Sequence, residues 1–101
     1  MDVILLAKLE KLAAAGIELL PADLGHYYIF MRDGFAALVE RRDSGFGAIG
    51  SAGLLIEQGF AALLWRDNVP YFVGKGFEQP AASEQVQMLR SFEADLRGAL
   101  A

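Results

Sequence analysis

The chain has 101 residues, 54% of them hydrophobic and 22% charged, a balance that excludes intrinsic disorder and fits a single domain over 1–101. Nine Lys and Arg against thirteen Asp and Glu leave a net charge of -4, so the basic footprint that nucleic acid or an anionic membrane requires is missing. With no cysteine, disulfides, thiolate nucleophiles, thiolate zinc sites and iron–sulfur clusters are excluded by count.

The first element reads as an amphipathic helix over about 2–15. Leu5, Leu6, Leu9, Leu12 and Ala13 recur at helical spacing, and Lys8, Glu10 and Lys11 stay off that stripe. Gly16 is its expected stop, with Pro21 barring any continuation past Leu20. Asp2 stands where an export signal carries positive charge, and the charged residues break up any apolar core, so a cytoplasmic protein is expected. No stretch approaches the roughly 18 to 20 apolar residues that span a bilayer.

The middle of the chain repeats itself. Gly34-Phe35-Ala36-Ala37-Leu38 returns 25 residues later as Gly59-Phe60-Ala61-Ala62-Leu63, with Ile29 to Asp33 matching Leu54 to Gln58 in chemistry. Each unit reads as strand, tight turn, strand, polar turn, strand. Asp33-Gly34 is a strong two-residue hairpin turn because Gly supplies positive φ, and Gln58-Gly59 is a weaker version. Asp43-Ser44-Gly45 and Asp67-Asn68 mark the second turns. Strands are expected at 27–32, 35–42, 46–51, 53–57, 60–66 and 70–74, joined by connections too short for a parallel crossover. Gly47, Gly50 and Gly53 make 46–57 the weakest part, and a short helix at 51–58 is the alternative.

Residues 35–39 and 60–65 are apolar on both strand faces, so something must cover both sides of the sheet there. Either the two helices take one face each, or both take one and leave the other to a partner subunit. The last element is a helix, with Ser83 as N-cap and Val86, Leu89, Phe92 or Glu93, Leu96 and Leu100 following the helical period. The fold class is α+β: N-terminal helix, antiparallel five- to six-stranded meander built from the internal repeat, C-terminal helix. Duplication of the unit would relate its halves by a pseudo-twofold.

Catalytic motifs fail on context. Gly45-Phe46-Gly47-Ala48-Ile49-Gly50 satisfies GxGxxG, but charged residues separate it from the preceding apolar strand and too little chain follows for a phosphate-binding helix. Ser51 lacks the Gly two residues before it that a nucleophile elbow needs, and His26 is the only histidine available as its base. One imidazole without Cys cannot make an ordinary zinc site. No catalytic residue, metal ligand or cofactor is expected.

Aromatic and basic strand residues are the candidates for binding. Tyr and Trp carry a polar tip on an apolar body and favour interfaces and pocket rims, which singles out Trp65, Tyr28 and Tyr71. Arg41 and Arg66 sit at matching strand ends, and Arg32 and Glu57 would pair if their strands were neighbours. The expected function is a non-catalytic interaction domain: a self-associating homodimer with a protein partner, and with neither nucleic acid nor membrane as ligand. A binder of a small apolar or aromatic ligand between sheet and helices is the alternative. Small acidic α+β dimers include the chaperones of bacterial secretion systems, a similarity of fold class that a helical 51–58 would strengthen and that no motif carries.

Overall fold

The computed structural model describes residues 3–20, 25–43, 45–57 and 59–101. Asp2, Pro21, Ser44 and Gln58, to which the sequence assigns start, stop and turn roles, lie outside the described residues. The order is α1 (Val3–Ala14), β1 (Glu18–Leu20), β2 (Tyr27–Arg32), β3 (Phe35–Arg42), β4 (Gly45–Ile56), β5 (Gly59–Arg66), β6 (Val69–Gly74), β7 (Phe77–Pro80) and α2 (Ser83–Leu100). All described strands belong to one antiparallel sheet in chain order, so the α+β meander between two helices is what forms.

Helix α1 ends as its sequence dictates. Gly16 takes φ +74, its N–H donates to the Ala13 carbonyl, and the Ile17 N–H donates to the Leu12 carbonyl. That double bond pattern, closed by contact between buried Leu12 and Ile17, is a Schellman stop. Helix α2 is capped one residue earlier than Ser83 suggests: Ala82 is the N-cap, and its N–H donates to Gln85 Oε1 at 2.9 Å. The Ala81 N–H, bonded to the Pro70 carbonyl, fixes the chain on β6 before the helix begins and leaves Ser83 inside the first turn.

Two hairpin turns follow the sequence closely. Asp33 and Gly34 have φ of 53° and 85°, and Asp67 and Asn68 have 51° and 66°, the pair of positive values of a type I′ turn. The third differs. Ile56 pairs with Gly59, so Gly59 opens β5 instead of closing the turn, and the register of the second unit slips relative to the first. The expected strands 46–51 and 53–57 are one twelve-residue strand, β4, bent by two irregularities where it pairs with β3 between Ala37 and Arg41. This also removes the helical alternative at 51–58 and the chaperone-like element order that depended on it. The repeated segments fall on β2–β3 and on the end of β4 with β5. Because β2 and β4 run in the same direction, any relation between them is a step along the sheet and not a twofold.

Among the described residues seven strands form where the sequence predicts five or six, the additions being β1 and β7 at the two edges. Both are short, and Glu18, Glu78 and Pro80 on them blunt the outer edges of the sheet.

Both helices lie on one side. Leu12, Leu89, Phe92 and Leu96 form one buried cluster with Phe30, Phe35, Ala37, Val39, Ala52, Ala61 and Phe72, all on the same register face. Arg32 ties the layers together at the end of β2. Its guanidinium donates to the Ala15 carbonyl at 2.9 Å and to Asp95 Oδ2 at 2.8 Å, and lies 5.7 Å from the Phe92 ring. It therefore does not pair with Glu57, which follows β4, a strand separated from β2 by β3.

Candidate functional site

The face of the sheet away from the helices is the first candidate. Register places Glu18, Met31, Ala36, Gly53, Ala62, Val73 and Glu78 in one row across all strands of this face. Ile29, Leu38, Leu55, Phe60, Leu64 and Tyr71 lie on the same side, above and below that row. Small Ala36 and Ile29 are buried among their neighbours, Met31, Leu38, Leu55, Phe60, Tyr71 and Val73 are half-buried, and Leu64 is 45% exposed. No described helix or strand packs over this face. Two ion pairs flank it: Arg42 donates to Glu40 at 2.8 Å, and Arg66 to Glu78. The centre is apolar, and much of the charge around it is neutralised within the chain.

The second candidate is a groove of about 260 Å³ on the helix side, between α1 and the strands. Leu5 and Leu9 of α1 line it together with Leu19, Tyr28, Phe30 and Phe46 of the strands. The Phe46 ring meets Tyr28 and Phe30 edge-on, with centroids at 5.5 and 5.6 Å, the arrangement preferred by aromatic quadrupoles. Arg41 caps the Tyr28 ring at 4.8 Å.

The third is an opening of about 460 Å³ where β4 and β5 part above α2. Their ladder runs only from Ile56↔Gly59 to Gly53↔Ala62, after which β4 keeps to β3 and β5 to β6. Leu89, Arg90, Glu93 and Arg97 of α2 line it from below.

The five residues singled out from the sequence do not converge. Tyr28 and Arg41 meet at the groove, while Arg66 stacks on Tyr71 at 5.5 Å on the open face. Trp65 points to the helix side, is 52% exposed, and stands 5.8 Å from the Arg90 guanidinium. Arg41, Arg42 and Arg66 do not form a shared basic cluster: Arg41 and Arg66 each stack on a different tyrosine ring, and Arg42 and Arg66 are each paired with a carboxylate. Sequence reasoning misses Phe46, Arg90 and the parting of β4 from β5. Phe46 is hidden by its place between glycines, and Arg90 by its position on a helix that declares only its packing face.

The GxGxxG run lies within β4, so no helix N-terminus follows it and the pyrophosphate cradle that the motif implies does not form. Among the described residues no helix is long and apolar enough to cross a membrane. Comparison of the chain with protein-family models, with curated proteins and with solved structures found no match.

Proposed function

We propose that the protein is a non-catalytic, adaptor-like interaction domain that works in the cytoplasm as a homodimer and holds a protein partner. The observation that carries this reading is the placement of both helices on one face of a sheet whose other face is also apolar. Strands β2 to β6 at about 4.8 Å spacing and six residues of about 3.3 Å rise present roughly 400 Å² in projection. That is the size of the largest apolar patch on a typical monomer, about 300 to 600 Å², which is often a functional surface.

Local charge on that face does not oppose a second copy as its occupant. Two chains of net charge -4 repel each other in general, but here each would meet an apolar centre flanked by internally neutralised ion pairs. The small central row of Ala36, Gly53 and Ala62 lets two sheets approach, with Leu38, Leu55, Phe60 and Leu64 interleaving around it. Native mass spectrometry tests this. The native chain should register near 22 kDa, twice its 11.0 kDa, and Leu64→Glu should return it to the monomer mass. A monomeric native chain at tens of micromolar refutes self-association.

A second reading rests on the aromatic groove beside α1. At about 260 Å³ it is close to the lower end of the range of small-ligand sites, and its walls suit one planar apolar molecule. A monomer carrying a constant extra mass of a few hundred daltons, lost on Phe46→Ala, would favour this reading over the first.

A further inference from the structure

We propose that the parting between β4 and β5 is a receptor for an extended peptide of neutral or acidic character, which inserts as an added strand. This rests on the reading that the protein holds a protein partner, and deepens it by naming where and in what conformation.

The backbone makes the case. A regular continuation of the ladder would pair 52 with 63, 51 with 64, 50 with 65 and 49 with 66, and none of these pairs forms. The outer edges of the sheet are three- and four-residue strands carrying Glu18, Glu78 and Pro80. The parting is therefore the place where two longer strand edges face each other with their inward N–H and C=O groups outside any mutual ladder. Gly50, Ser51 and Leu64 on its walls are exposed. An edge of this kind is a template for another chain, and main-chain pairing is what binds a peptide in β-augmentation.

The fork is built into the sequence. A Cβ at Gly53, the residue of β4 paired with β5 farthest from their turn, would stand 2.5 Å from the Ala61 carbonyl oxygen. Only glycine permits this close approach, which is followed at once by the divergence. The two irregularities in the β3–β4 pairing then carry β4 further towards β3. Four residues along each wall give the inserted strand a run of about 13 Å.

The chemistry of the floor selects the occupant. Leu63 and Leu89 offer an apolar seat for alternate side chains, while Arg97 is paired with Glu93 at 3.8 Å and Arg90 is the cation in excess. This local excess of positive charge in a chain of net -4 favours a peptide with carboxylates at its ends and disfavours a basic one. A second copy is a poor occupant, because its own outer edges are too short to fill both walls.

Hydrogen exchange with a defined probe tests the proposal. The probe is an acetylated and amidated octapeptide alternating Val and Thr with Glu at both ends, and its control carries Lys instead. At millimolar probe the amides of 49–52 and 63–66 should slow by roughly tenfold, more with the Glu probe than with the Lys control. Arg90→Glu, an exposed change, should reverse that preference. Unchanged exchange at both walls, or equal protection of 18–20 and 77–79, overturns the proposal. The absence of cysteine allows a second readout: in Ser51→Cys/Leu64→Cys an open parting leaves both thiols free, because a disulfide needs Cα atoms within about 7 Å. Rapid quantitative disulfide formation in the folded variant overturns the proposal as well. A persistent 22 kDa dimer, twice the 11.0 kDa chain, with unprotected walls sinks the peptide site alone, and protected walls in a monomer sink self-association alone.

Discussion

Replacing Arg32 with Met removes a side chain that joins β2, the end of α1 and the face of α2 at once. Methionine keeps most of the aliphatic stem, so the loss is confined to the guanidinium. Three interactions go. The charged hydrogen bond to the Ala15 carbonyl satisfies an acceptor at a helix end, where partners are scarce, and is worth about 1.5 kcal/mol. The pair with Asp95 is half-exposed on the carboxylate side and contributes about 0.5 kcal/mol. Stacking on the Phe92 ring at 5.7 Å adds about 0.5 kcal/mol. Together Arg32→Met should destabilise the fold by roughly 2 to 2.5 kcal/mol, while Asp95→Asn costs about 0.5 kcal/mol. Urea unfolding followed by Trp65 fluorescence gives both values, provided the m-value is unchanged. If Arg32→Met and Asp95→Asn lose the same amount, the Ala15 carbonyl is not the main partner and the reasoning fails.

Further outcomes follow from other sites. Ala82→Ser supplies the hydroxyl that the N-cap of α2 lacks and should raise stability by about 0.5 to 1 kcal/mol; a loss on thermal unfolding would mean that Ser83 is the true cap. Gly53→Ala forces a Cβ against backbone and should cost about 2 kcal/mol or more, whereas a neutral result in urea unfolding would show that the fork is pliable. Leu64→Glu, on an exposed position, should leave monomer stability within about 0.5 kcal/mol at concentrations too low for association, and a larger loss there would place Leu64 in the core.

The elements best legible in the sequence are those whose signals are local. The Leu stripe with Gly16 gives α1, the Val86 to Leu96 stripe gives α2, and Asp33-Gly34 and Asp67-Asn68 give two turns with the φ values they require. Strand β7 escapes because Pro80 demotes a strand, although Gly76 with φ +69 marks the turn before it. Strand β1 escapes because three residues between a helix stop and Pro21 carry no periodicity. In β4 the pairing irregularities break the alternation that defines a strand, so one long element reads as two. The same three glycines that blur it, Gly47, Gly50 and Gly53, are the signal for the fork, since glycine inside a strand marks a bulge or a close backbone approach. Which face each candidate residue occupies depends on register, and register between strands is not written in any single strand.

The strictly sequential order of the sheet has a consequence for how the chain finds its native state. Each strand pairs with the one just before it in the chain, so every ladder can close across a short loop at small entropic cost. Hairpins zip on a timescale of about 1 to 10 μs. The helices are different: they come from opposite ends of the chain, and the Arg32–Asp95 clasp spans a separation of 63 residues. This order of costs predicts that the sheet is the nucleus and helix docking the final step. Substitutions at Phe92 and Asp95 should then accelerate unfolding while leaving the refolding rate nearly untouched, and slowed refolding in stopped-flow would place helix docking at or before the barrier.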